Sequence, residues 1–118
     1  MTMKTHKDLE IWKRGISLVE TVYKATSNFP PNERYGLASQ IRRAAVSYPS
    51  NIAEGAARAY KKEFIQSLYI SLGSLSEAET QIMIAEKLIY LDAKLLLEEI
   101  EILRKTTLNF IKYLKSKK

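Results

Sequence analysis

Three interruptions in a chain of 118 residues decide what it can fold into. Phe29-Pro30-Pro31-Asn32 is the first, since two prolines stop a helix and disfavour helix just before them. Gly55 to Tyr60 is a softer second. Tyr90-Leu91-Asp92 is the third, with Asp92 a good N-cap for the last segment. Four segments remain, about 5–28, 33–57, 61–89 and 92–116, and none shows the sustained alternation of a strand. Short connections between long helices make neighbours antiparallel. The expectation is one all-α domain over residues 1–118, an antiparallel up-down-up-down four-helix bundle.

The apolar pattern asks for more than one core. Segment one places Leu9, Trp12, Ile16, Val19, Tyr23 and Thr26 three and four apart, and a second stripe runs through Ile11, Leu18, Val22 and Ala25. Segment four has Leu96, Ile100, Leu103, Thr107, Phe110 or Ile111, and Leu114, widened by Leu95, Leu97 and Ile102. A bundle core needs one stripe per helix. The surplus points to a second buried surface, most simply between subunits. The plainer alternative is that some of these side chains are simply exposed.

Segment two is the most unusual stretch. Asn32 is a plausible N-cap, and Glu33 suits the first turn, where the helix dipole favours a carboxylate. Pro49 should kink this helix; a break at Tyr48 with a fresh start is the other reading. Its alanines, with Ser67, Ser71, Ser74, Ala78 and Ala85 in segment three, predict close packing of the two helices. Gln40, Arg43, Ser47, Asn51 and Glu54 form a polar stripe, and Glu79 lies between Leu75 and Ile82 on or beside an apolar face. Folding segments two and three about residues 59 and 60 lets Arg42 or Arg43 reach Glu77 or Glu79. That predicts an interhelical structural ion pair; the competing reading is an active site of arginine and carboxylates.

Composition excludes several chemistries. With no cysteine and a lone His6, thiolate sites, histidine metal sites and a serine triad have no material. Glu77 and Glu79 are two apart and point away from each other on a helix. Gly55 and Gly73 are isolated, so no Gly-rich phosphate loop exists. The expectation is a protein that is not an enzyme and needs no cofactor or metal. No apolar run suits a membrane span, and the N-terminus lacks the apolar core of a signal peptide, which makes a cytoplasmic protein the default.

The net charge of +6 favours anionic partners. In an up-down-up-down bundle the N-terminus, the second loop and the C-terminus share one end. That end would hold Lys4, Lys7, Arg58, Lys61, Lys62, Lys112, Lys115, Lys117 and Lys118. The opposite end has Glu33, Arg34, Asp92 and Lys94, which balance. Tyr60, Tyr69 and Tyr113 lie near the cations, where they could stack on single-stranded bases. The candidate nucleic-acid contacts are Arg58, Lys61, Lys62, Lys112, Lys115, Lys117 and Lys118; the alternative is a solvated lysine cluster.

DLEIW at Asp8 to Trp12, FPPNERYGLASQIRRAAVSYPSNIAEG at Phe29 to Gly55, KKEF at Lys61 to Phe64 and GSLSEAETQ at Gly73 to Gln81 together resemble a known family. It is the bacterial four-helix-bundle family of the 23S rRNA intervening-sequence protein, historically labelled ribosomal protein. The resemblance implies an antiparallel bundle and a homo-oligomer, pentameric rings being known among relatives. The accessory variability determinant of diversity-generating retroelements is a distant relative that binds nucleic acid and a reverse transcriptase, so such partners follow by analogy only. The family's motif residues fall on Arg42, Arg43, Ser47, Asn51, Glu54, Gly55, Gly73, Ser74 and Glu79, with mainly structural roles implied. Five positions depart from the usual pattern. Tyr60 replaces a capping Ser, Tyr48 an aliphatic, Ala78 a Leu, Ile89 a Gly and His6 an aromatic.

Overall fold

A computed structural model describes residues 5–117 and shows four α-helices. These are α1 (Glu10–Thr26), α2 (Leu37–Ala56), α3 (Lys61–Lys87) and α4 (Lys94–Ser116). Short 3-10 turns at His6–Asp8 and Pro31–Glu33 lead into α1 and towards α2. The body is elongated, 49 × 21 × 19 Å. Consecutive helices pack side by side, α1 also meets α4, and α2 and α3 share the most extensive contact.

Particular contacts set direction. Arg42 reaches Thr26, and Gly15 lies against Tyr48, so α1 and α2 run in opposite senses. The Tyr48 carbonyl accepts from Ser71, and Gly55 lies against Ser67, which does the same for α2 and α3. Arg104 with Glu79 and Lys115 with Tyr69 do so for α3 and α4.

The core takes one stripe per helix. In α1 it is Ile11, Gly15, Leu18, Val22 and Thr26; in α4 it is Leu96, Ile100, Leu103, Thr107 and Ile111. The other α1 stripe looks outward: Trp12 and Val19 are half-buried, and Ile16 and Tyr23 are exposed. Leu95 and Ile102 on α4 are exposed as well. The surplus apolar residues are therefore on the surface of the single chain.

Helix starts differ from expectation. Asn32 does not cap α2, because the two prolines open a 3-10 turn that holds it; α2 begins at Leu37, where the Glu33 carboxylate accepts from the Leu37 N–H at 3.2 Å. Pro49 lies inside α2, which runs through it unbroken. Tyr60 occupies the N-cap of α3 and makes no side-chain cap bond there. Asp92 accepts from the Lys94 N–H at 3.1 Å at the head of α4.

Three of the unusual residues are accommodated by neighbours. Tyr48 is fully buried beside Gly15, where a Cβ would stand 2.8 Å from its ring, and its hydroxyl meets Thr107 at 2.7 Å. His6 sets its ring edge against Trp12, centroids 5.1 Å apart. Ile89 ends α3 at φ +63°, a left-handed conformation. There the Tyr90 N–H bonds to Ala85 and the Ile89 N–H to Glu86, a Schellman closure built around a β-branched residue.

Candidate nucleic-acid interface

The C-termini of α2 and α4 meet the N-terminus of α3, because the helices alternate in direction. Lys61 Nζ donates to the Lys117 carbonyl, and Phe64 packs edge-on against Phe110 at 5.8 Å. These contacts bring Lys61, Lys62, Lys112, Lys115 and Lys117 to one end, and all five are exposed. Lys4 and Lys118 lie outside the described residues. None of the five has a carboxylate partner among the described residues.

Arg58 differs from the lysines. It lies 3.2 Å from Glu54 and 3.8 Å from Glu63, so its charge is largely answered within the chain. Tyr69 and Tyr113 are about half exposed, and each carries a lysine: Lys115 Nζ is 5.2 Å from the Tyr69 ring centre and Lys117 Nζ 5.0 Å from that of Tyr113. Tyr113 also stacks on Phe110 at 6.3 Å. The surface thus interleaves cations with aromatic side chains: Lys115 donates to the Tyr69 hydroxyl at 3.0 Å, and Lys117 lies by the Tyr113 ring. Tyr60 is exposed beside them.

The expected ion pair between Arg42 or Arg43 and Glu77 or Glu79 does not form. Arg42 turns to α1: its Nε donates to Thr26 Oγ1 at 2.8 Å, and its guanidinium lies 4.5 Å over the Tyr23 ring. Glu79 faces α4 and binds Arg104 at 2.8 Å, with Glu101 also on Arg104. Those two carboxylates hold the Arg104 guanidinium above its usual value, the Glu79 hydrogen bond contributing most. A second cross-helix pair, Arg14 with Glu99 at 3.2 Å, joins α1 to α4 and was missed because each residue alone looks like an ordinary surface charge. Arg43 and Glu77 line a cleft between α2 and α3 with Gln40, Ala44, Ser47 and Gln81, and do not pair. Asn51 donates to the Ser47 carbonyl at 2.8 Å, and Glu54 serves Arg58.

Fold and surface together define a class: a small all-α bundle protein with one lysine-rich end. No group of three or more metal-ligating side chains occurs among the described residues. No helix among them is long and apolar enough to cross a membrane. The chain belongs to the 23S rRNA-intervening sequence protein family, whose model matches residues 7–113. A solved structure described as a protein of unknown function from the S23 ribosomal protein family, from Bacteroides thetaiotaomicron, superimposes with a TM-score of 0.77. It is 19% identical, and the match covers 86% of this chain and 98% of that one, which establishes the shared fold. Among curated proteins nothing matches.

Proposed function

We infer that this chain is a non-enzymatic, cytoplasmic bundle protein that self-associates and binds RNA or DNA through its lysine-rich end. The observation that supports it most is the set of five exposed lysines without carboxylate partners among the described residues, interleaved with half-exposed Tyr69 and Tyr113. Phosphate neutralisation by such lysines supplies sequence-independent affinity. Arg58 adds less than the lysines, because Glu54 and Glu63 already hold it.

Self-association rests on the outward apolar residues. Trp12, Ile16, Val19, Val46, Pro49 and Ala53 line a groove between α1 and α2, while Leu95 and Ile102 stand out from α4. Family resemblance makes a ring of five the expected state, in which five basic ends would sum their potential on one face. Sedimentation equilibrium is expected to return five chain masses; a monomer at micromolar concentration would refute it. Resemblance to the retroelement accessory protein extends the partner list to a reverse transcriptase, by analogy alone.

Fluorescence anisotropy with a labelled 23S rRNA fragment tests the basic end. Changing Lys61, Lys62, Lys112, Lys115 and Lys117 together to Gln is expected to weaken binding at least about tenfold at ~0.1 M salt. Unchanged affinity would sink this reading. Recovery of a protein partner after nuclease treatment would favour a scaffold role in its place.

A further inference from the structure

The cleft between α2 and α3 that holds Arg43 and Glu77 is unlike the rest of the surface. The other cross-helix arginines are answered: Arg14 by Glu99, Arg104 by Glu79, Arg42 by Thr26 and the Tyr23 ring. The contacts of Tyr48 with Ser71 and Gly55 with Ser67 put Arg43 level with Glu77 and Gln40 level with Gln81. Yet the side chains of Gln40, Arg43, Glu77 and Gln81 make no hydrogen bond or ion pair among the described residues. Gln81 Oε1 is buried with no donor. An acceptor buried in that way has lost its water and gained no donor in return. Ala44, small and buried, forms the floor, which gives the cleft a volume of about 330 Å³. That lies at the lower end for small-molecule pockets.

We propose that this cleft binds a small zwitterion of the amino-acid type. Arg43 takes the ligand's carboxylate, and Glu77 accepts from its ammonium. Two features select that class. Arg43 and Glu77 bring one charge of each sign, so the site is neutral and suits a neutral dipolar ligand better than a phosphate dianion, which Glu77 would repel. The lining holds no aromatic ring, so a nucleobase has no stacking platform there. The cleft lies in the half of α2 away from the lysine-rich end, so nucleic-acid contact and zwitterion binding are separable.

Titrating the full-length protein with each of the twenty common free amino acids, read by side-chain amide NMR shifts and calorimetry, tests this. At least one is expected to bind with a dissociation constant below about 1 mM and to shift the Gln81 amide resonances. Acetate, methylammonium and inorganic phosphate should each bind at least about tenfold more weakly. Arg43→Gln and Glu77→Gln, both at exposed positions, should each weaken binding about tenfold while leaving the circular dichroism spectrum and RNA affinity unchanged. No binder at ~10 mM, phosphate binding as well as the amino acids, or affinity indifferent to both substitutions would overturn the proposal.

Discussion

From α2, Tyr48 touches all three other helices. Its ring fills the space left by Gly15, its hydroxyl meets Thr107 at 2.7 Å, and its carbonyl accepts from Ser71 at 3.0 Å. Burial pushes its hydroxyl up from 10.0 to about 12. A raised folded-state value means that the stabilisation is complete below pH ~10 and drains as the pH climbs towards ~12, because only the unfolded chain can ionise freely. At pH ~11 the loss from this group is about 1.4 kcal/mol. Tyr48→Phe is expected to lower stability by about 1 kcal/mol at neutral pH through the lost hydrogen bond. The gap between the two proteins should close or reverse by pH ~11, as read in paired urea titrations. A gap independent of pH would mean the phenol is not held neutral. Ile89 makes the converse case. It is 90% exposed and sits at positive φ, so it gives up little packing for a strained backbone. Ile89→Gly should raise stability by about 1 kcal/mol. A destabilised variant would show that Ile89 makes contacts worth more than the strain.

Between elements, α2 and α3 share the most extensive contact. A Cβ on Gly55 would overlap the Ser67 Cβ and stand 3.1 Å from Phe64 Cδ1. Gly55→Ala is therefore expected to cost about 1–3 kcal/mol despite alanine's better helix propensity. Gly73 has open space around it, and the same change there should gain about 0.5–1 kcal/mol. Chemical denaturation with an unchanged slope measures both; equal effects at the two sites would refute the close contact. The packing of these two helices was legible from their small residues. Their ion pairing was not. Glu77 and Glu79 project to opposite sides of α3, one into the α2 cleft and one to Arg104 on α4. Helical periodicity finds the core-facing line but is silent on which neighbour lies to its left or right, since that is the hand of the bundle. The same limit applies to α1. Two apolar stripes were visible, but Gly15 interrupts the one that packs inward, so the more continuous stripe was the outward one. The α2 start was misplaced because the Pro-Pro turn takes up the residues that otherwise read as a cap.

Across the whole molecule, alternation of helix direction gathers charge that is scattered in sequence. Lys61 and Lys62 are some fifty residues from Lys112, Lys115 and Lys117, yet all share one end of a body 49 Å long. The lysines were readable from the sequence because chain reversal follows from loop length alone. The aromatic pairing of Lys115 with Tyr69 and Lys117 with Tyr113 was not, because it depends on rotamers and helix phase. The proposed function stands or falls on whether this end neutralises phosphates. The slope of log affinity for single-stranded rRNA against log salt concentration measures the number neutralised, at roughly −0.7 per phosphate. Five lysines predict a slope of about −3.5 per subunit engaged, falling towards zero when they are changed to Gln. A slope near zero in the unaltered protein, or one that the lysine changes leave intact, would refute phosphate neutralisation at this end.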